Sequence, residues 1–502
     1  MNNCKKGITL GVVRYILWFE GGDILVFSSL LFVFLFFAAT MLVYCLCGSL
    51  DKKNMVLLVS SLIFYAWGGP RYLVLLLLMS LISWGSAILI YQYRDDRRMK
   101  RVWLIAGVGL QLGLLGYFKY AGFILDNIKA ITGFPENVPE IILPIGISFY
   151  TFQLVSYVID VYWNDVEPQR KYWLVLLYAG LFFQCIAGPI VRYKDVAYEI
   201  EHRRTRLSEI GQGINRFTVG LVKKSVFANS CAEIADTMLP VGLDKLDGIP
   251  ALGLWLGVLM YMLQIYLDFS AYSDMAIGMG WMTGFHFKEN FNYPYIASSV
   301  TDFWRRWHIS LSSFFRDYVN IPLGGNRKGQ RRTMINLFAV WALTGLWHGA
   351  HWNFVLWGLF YYVFLVIEKN GFLDKLQKLP KAVGHIYTLF VVYFGWILFK
   401  FSDMSYLGHV LKGMFGLNHN GFTSMDVGMT FENHMFFIAA AIVACTPLLK
   451  VLYGWISKWQ GRVVVVRYLC NAVEVVGPVA LLMLATMALV GNSYNPFLYF
   501  QF

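Results

Sequence analysis

The sequence predicts an all-α, polytopic membrane protein of about eleven or twelve transmembrane helices, supplemented by re-entrant and amphipathic helices. Three observations predict it. Only 14% of the 502 residues are charged and 58% are hydrophobic, where a soluble chain carries about a quarter charged residues. The stretches from Ile24 to Leu50 and from Tyr72 to Tyr93 contain no charge at all, and each exceeds the roughly 20 apolar residues that span a bilayer. The basic residues gather in short loops, 93–101, 201–206 and 326–332, as they do at the cytoplasmic ends of spans.

Apolar segments place spans near 24–48, 54–69, 72–92, 102–127, 141–162, 209–240, 251–281, 334–348, 352–368, 384–401, 432–452 and 470–491. A further apolar stretch, 173–190, is followed by basic residues and reads as re-entrant or tilted. Residues 24–502 thus form one membrane domain behind an extension of residues 1–23. The Lys/Arg-rich loops 51–53, 93–101, 192–206, 285–332, 369–381 and 457–467 are assigned to the cytoplasm, and 126–140 and 402–431 to the outside. Alternation then puts the N-terminus outside, against the preference of Lys5, Lys6 and Arg14.

Polar residues concentrate between Gln264 and His351. Residues 287–332 contain no spanning run, and Ser299 to Asn320 reads as a single amphipathic helix. Ser299 followed by Asp302 resembles a capping box. Phe303, Trp307, Leu311, Phe314 and Tyr318 recur at helical spacing, with Arg305, Arg306, Ser312 and Arg316 off that stripe. Pro322 and the pair Gly324–Gly325 end it.

The formal net charge of +12 follows from the loops, and no module that interleaves aromatic and basic residues for nucleic acid interrupts them. Seven cysteines contain no CxxC pair, so neither a zinc site nor a disulfide framework is indicated. The first apolar run is too long for the core of a cleavable signal.

Three histidines are candidates for chemistry. His348 ends a short apolar run, between Gly345 and Gly349, and belongs inside the membrane, where an ionisable residue marks function by default. His351 follows at i+3, a spacing at which two residues share one helical face; a metal there lacks further ligands, since Thr344 and Asn353 are poor ones. His308 lies in the amphipathic helix between Arg305–Arg306 and Arg316, on a solvated face or beside bound phosphates that Arg matches bidentately.

The stretches "FKYAGFI" (118–124), "PIGISFYTFQLVSYVIDVY" (144–162), "AGPIVRY" (187–193), "DFSAYSDMAIGMG", "ENFNYPY", "DFWRRWHISLSSFFRDYVNIPLGGNR" and "TGLWHGAHWNFVLWG" closely resemble the membrane-bound O-acyltransferase family, in its bacterial alginate O-acetyltransferase-like branch. The ending "PFLYFQF" is similar too, whereas residues 1–23 fall outside the pattern. The resemblance implies a bundle of tilted helices around a central tunnel in a bacterial cytoplasmic membrane. It also implies a catalytic pair, His308 and His348. His348 is then the base that takes a hydroxyl proton, or briefly accepts the acyl group itself. His308 orients the donor or hydrogen-bonds its thioester carbonyl, and Arg305, Arg306, Arg316 and Trp307 bind the donor. No tightly held cofactor or metal is implied. The acyl donor is acetyl-CoA or a carrier-protein thioester, the partner an extracytoplasmic acetyl-relay transferase, and the final acceptor a surface polysaccharide. Within the family the rival is teichoic-acid D-alanyl transfer. Rivals from other classes are an exporter or flippase of lipid-linked glycan and a scaffold for a glycan synthase.

Charge distribution makes the topology testable. Cysteine placed at Lys328 is expected to be labelled by an impermeant thiol reagent from the cytoplasmic side alone, and cysteine at Glu136 from outside alone. Labelling of both from one side reverses or breaks the orientation.

Overall fold

A computed structural model describes residues 25–135, 138, 141–184, 188–460, 462–491 and 494–496. The extension 1–23, Glu136, Cys185, Ala187 and the closing residues from Phe497 lie outside the described residues. In chain order the helices are α1 (Phe32–Leu46), α2 (Leu50–Trp67), α3 (Pro70–Gln92), α4 (Arg97–Thr132), α5 (Ile147–Trp163), α6 (Tyr172–Gly180), α7 (Tyr193–His202), α8 (Leu207–Val222), α9 (Asn229–Met238), α10 (Leu243–Asp247) and α11 (Ala251–Thr283). The second half continues with α12 (Val300–Arg306), α13 (Ile309–Phe315), α14 (Gln330–His348), α15 (Trp352–Ile367), α16 (Leu373–Gln377), α17 (Lys381–Lys400), α18 (Met404–Met414), α19 (Met425–Ala444), α20 (Leu448–Ser457) and α21 (Val464–Gly491). No strand occurs among the described residues.

Among the described residues, seven helical segments are long and apolar enough to cross a membrane: Pro70–Gln92, Arg97–Thr132, Ala251–Thr283, Trp352–Gln377, Lys381–Lys400, Met425–Ala444 and Val464–Gly491. Other predicted spans form helices that are shorter or more polar. α5 has 17 residues, and α14 has 19, with Arg331 and Arg332 in its first turn. Several starts follow local chemistry. Ser49, Asp96, Asp403 and Ser424 accept hydrogen bonds from backbone N–H groups at the first turns of α2, α4, α18 and α19, and Pro70 opens α3, where its missing N–H costs nothing.

α11 is the axis of the bundle and is buried almost throughout its 33 residues. Its two carboxylates are therefore paired: Asp268 with Lys224 at 2.9 Å, each side chain 1% exposed, and Asp274 with Lys223 and Arg216, both at 2.6 Å. A buried charge without such a partner would cost several kcal/mol, roughly 3–5 on removal of one member. Without a hydrophobic drive between helices in lipid, close packing must hold them, and small residues permit it. The crossing of α14 and α15 shows this most directly. A Cβ at Gly345 would strike the carbonyl oxygen of Phe354, and one at Gly358 the carbonyl oxygen of Trp341.

Three sequence expectations are corrected. Ser299–Asn320 is not one helix: α12 ends at Arg306, His308 adopts a left-handed conformation (φ 47°, ψ 55°), and α13 then runs into a π-turn, Arg316–Asn320. The break leaves the apolar stripe intact, because Phe303, Trp307, Leu311, Phe314 and Tyr318 are all buried. The span 432–452 divides between α19 and α20 at Cys445–Pro447. The span 209–240 carries a π-turn, Lys223–Ala228, between α8 and α9. The stretch 173–190 is helical through Gly180, and residues 181–184 and 188–190 continue it as buried, irregular chain.

Replacing Gly358 with Leu is expected to destabilise the folded protein by about 1–3 kcal/mol through overpacking. Gly122→Ala, where a Cβ meets nothing within 4 Å, should be neutral. Detergent-solubilised yield and melting midpoint compare the two, and equal behaviour would remove the crossing from this account.

Candidate active site

His348 is the last residue of α14, and Gly349 continues as extended chain (φ −171°, ψ 159°). The imidazole is 5% exposed. Its ring centroid lies 5.0 Å from that of Trp347, 5.0 Å from Trp357 and 5.1 Å from Phe399, and its Nδ1 has no hydrogen-bond partner. A helix ending inside the bundle exposes carbonyls that need donors. α4 supplies them. Tyr120 donates to the carbonyl of Leu346 at 2.7 Å, and Lys119 donates to the carbonyls of Trp347 and His348 and to the Ser148 hydroxyl at 3.2 Å. A cation at a helix C-terminus also opposes the macrodipole.

His308 is 1% exposed and occupies the turn between α12 and α13. A left-handed backbone at a residue other than glycine costs about 1–3 kcal/mol, so the surroundings must hold it. Asn290 does so from the loop after α11. Its carbonyl accepts from the Ile309 N–H at 2.9 Å. Its side-chain Oδ1 accepts from the Ser310 N–H at 3.1 Å and the Ser310 hydroxyl at 2.9 Å, and the same oxygen lies 3.1 Å from His308 Nδ1. The Ser310 N–H fixes which end of the amide faces the turn. An oxygen cannot donate, so His308 carries its proton on Nδ1 and donates it to Asn290. Nε2 of His308 then bears a lone pair, is buried and has no partner.

The indole of Trp347 joins the two histidines, 5.7 Å from the His308 ring and 5.0 Å from that of His348. Its own Nε1–H is buried and unpartnered, as is Nδ2 of Asn290. Each such group costs about 1–3 kcal/mol if nothing satisfies it. His348 Nδ1, His308 Nε2, Trp347 Nε1 and Asn290 Nδ2 are thus four buried polar atoms without a hydrogen-bond partner among the described residues. Trp307 is buried beside His308 in the chain, packed 5.6 Å from Phe303 and 4.8 Å from Trp396.

Other expected features fall elsewhere. His308 lies on no solvated face. His348 and His351 do not share a helical face, because the extended Gly349 separates α14 from α15; His351 is exposed at the turn. Gly349 offers no room for a substrate, since the Phe354 ring already occupies the space where its Cβ would be. Arg305 is exposed and forms no ion pair among the described residues. Arg306 is held by Asp302 at 3.0 Å, and Arg316 by Asp317 at 2.6 Å. Asp317 also takes Arg192 at 2.7 Å. Partial burial opposes its charge, yet Arg316 and Arg192 together hold its carboxyl below the usual value. Among the described residues no three His, Cys, Asp or Glu side chains converge as a metal site would require.

Comparison with known proteins gives the family. The family described as MBOAT, membrane-bound O-acyltransferase family, matches over residues 172–407, a stretch containing both buried histidines. The chain is 37% identical to a Pseudomonas putida protein named "Probable alginate O-acetylase AlgI", over 95% of this chain and 100% of that one. It is 33% identical to the peptidoglycan O-acetyltransferase of Helicobacter pylori, over 79% of this chain and 80% of the relative. With the teichoic acid D-alanyltransferase of Bacillus subtilis it shares 28% identity over 54% of this chain and 71% of the relative.

The clamp of Arg192, Asp317 and Arg316 gives a signed pH effect. A depressed carboxyl contributes stability above its unfolded value and loses it as pH falls through the folded one. Asp317→Asn should therefore lower the melting midpoint near neutral pH by about 1–3 °C, and the gap should close under acid conditions. A gap that persists in acid would mean the clamp acts through packing alone.

Proposed function

This chain belongs to the membrane-bound O-acyltransferase family and is an O-acyltransferase, and from that premise we propose that it moves an acetyl group from a cytoplasmic thioester toward O-acetylation of a cell-surface polysaccharide, with His348 as base. The observation that carries this reading is the pair of buried imidazoles that both pack against Trp347, each with a ring nitrogen that has no hydrogen-bond partner among the described residues.

In this mechanism a hydroxyl oxygen attacks the thioester carbonyl carbon. The C–O bond forms, the C–S bond breaks, and the hydroxyl proton passes by way of His348 to the departing sulfur, which leaves as thiol. The buried site raises the worth of every donor aimed at the developing oxyanion. The indole N–H of Trp347 and the side-chain amide N–H of Asn290 are buried donors without a partner among the described residues, and we assign them to that oxyanion. Acetyl-CoA is the donor we favour, with a carrier-protein thioester as the alternative. Of the three arginines expected to receive it, Arg305 has its charge unspent, while Arg306 and Arg316 are already paired.

Relatives named for alginate and peptidoglycan O-acetylation support a polysaccharide acceptor. The proposal places the protein in a bacterial cytoplasmic membrane and passes the acetyl group through an extracytoplasmic relay transferase. D-alanyl transfer is the second reading. It is favoured by the teichoic acid D-alanyltransferase, whose match is lower in identity and extent.

Protein reconstituted in liposomes with radiolabelled acetyl-CoA tests the donor directly. Thioester turnover supports the proposal, and intact protein that neither hydrolyses nor transfers the label overturns it. In the same assay His348→Ala should lose nearly all transfer, about 10²–10⁴-fold or more. His308→Ala should fall between that and wild type, and His351→Ala should keep most activity. If His351→Ala matches His348→Ala at equal abundance, the single base is wrong.

A further inference from the structure

The network at His308 specifies more than the position of a ring. A neutral imidazole has one proton, and the nitrogen that keeps it is set by what the other nitrogen faces. Here Nδ1 faces an oxygen that already accepts two hydrogen bonds from Ser310, so that oxygen offers only lone pairs. The Ser310 hydroxyl is committed as well: it donates to Asn290 and accepts from the Ile190 N–H at 3.0 Å. A second contact from Nδ1 to that hydroxyl, at 3.4 Å, again finds an acceptor. Both neighbours of Nδ1 therefore demand its proton.

We propose that Asn290 is a positioning residue that fixes His308 in the Nδ1–H tautomer, so that His308 meets the substrate through Nε2 as a hydrogen-bond acceptor and not as a donor to the thioester carbonyl. This rests on the acyltransferase reading for its meaning in catalysis, but the tautomer itself does not. A neutral His308 held in this way has no proton to offer a carbonyl. It takes a hydrogen bond from a hydroxyl, thiol or amide N–H of the bound substrate. That is an alternative to the donor role which the family resemblance suggested.

The electrostatic surroundings favour neutrality. His308 is packed by Phe269 of α11 at 4.7 Å and by Trp347 of α14 at 5.7 Å, neither of which carries charge. The titratable side chains nearby are His348 of α14, which packs against the same Trp347 indole, and Lys119 of α4, which donates to the His348 carbonyl. Neither offers His308 a negative charge, and like charges in a small buried volume oppose one another. No carboxylate forms an ion pair with His308 among the described residues.

Nitrogen-15 magnetic resonance of histidine-labelled protein in bilayers tests the assignment without any reaction. The signals lost on His308→Asn identify the ring. They should show protonated Nδ1 and unprotonated Nε2 near neutral pH, and Asn290→Ala should abolish that preference. An Nε2–H ring, an imidazolium, or a ring unmoved by Asn290→Ala overturns the proposal. Failure of acetyl-CoA turnover would overturn the donor and leave this test intact. Where wild type does turn over acetyl-CoA, Asn290→Asp adds a readout that a merely structural role would not move. The new carboxylate preserves the acceptor for Ser310 and favours the imidazolium. A reaction that needs the Nε2 lone pair should then have its acid limb shifted upward by about one to three pH units, with the rate recovering in alkali. A loss of equal size at every pH would assign Asn290 to folding alone.

Discussion

A helix that stops inside a membrane protein leaves carbonyls that no solvent can satisfy, and the candidate site depends on how α14 meets that constraint. Lys119 and Tyr120 reach from α4 to the carbonyls of Leu346, Trp347 and His348. With those groups satisfied, α14 can end at a histidine and turn within three residues into α15. The Gly345–Gly358 crossing then presses the two helices together and drives Trp357 and Phe354 against the end of α14. The His348 ring is thereby confined by Trp347, Trp357 and Phe399, an aromatic collar that fixes its direction and removes water from it.

His308 is placed by the opposite device. Where His348 follows from a helix properly terminated, His308 follows from a helix deliberately broken. The left-handed turn between α12 and α13 swings the imidazole off the amphipathic stripe and toward Trp347, and Asn290 offsets the strain with hydrogen bonds from both backbone and side chain. The two histidines come from segments separated by forty residues of sequence (308 and 348), yet they share one indole. Trp347 is thus as much a part of the arrangement as either imidazole.

Much of this was legible in the sequence, for reasons that can be named. An uncharged run longer than a bilayer locates α3, and long, strongly apolar runs locate α11 and α21, whatever their tertiary setting. Ser299 does cap α12, accepting from the Asp302 N–H at 3.0 Å, because capping depends on local chain alone. The break at His308 was not legible. Two short helices joined by one left-handed residue keep the spacing of Phe303, Trp307, Leu311, Phe314 and Tyr318, so periodicity cannot distinguish them from one helix. Asn290, Lys119 and Tyr120 were quoted within motifs, but as ordinary residue types in a loop and a span. Their roles arise from partners 18 to 229 positions away, and spacing within a single element carries no trace of that. The arginines err in the other direction: sequence displays their charge and conceals that Asp302 and Asp317 have already taken two of them.

The turn at Gly349 has a geometric consequence of its own. His348 is buried and His351 exposed, and three residues of chain extend at most about 10 Å. The buried imidazole therefore lies within about 10 Å of chain from the exposed surface. With His348 as the proposed base, a molecule approaching beside His351 has a short way to travel, and the thickness of that three-residue turn would select substrates by length before any contact selects them by chemistry.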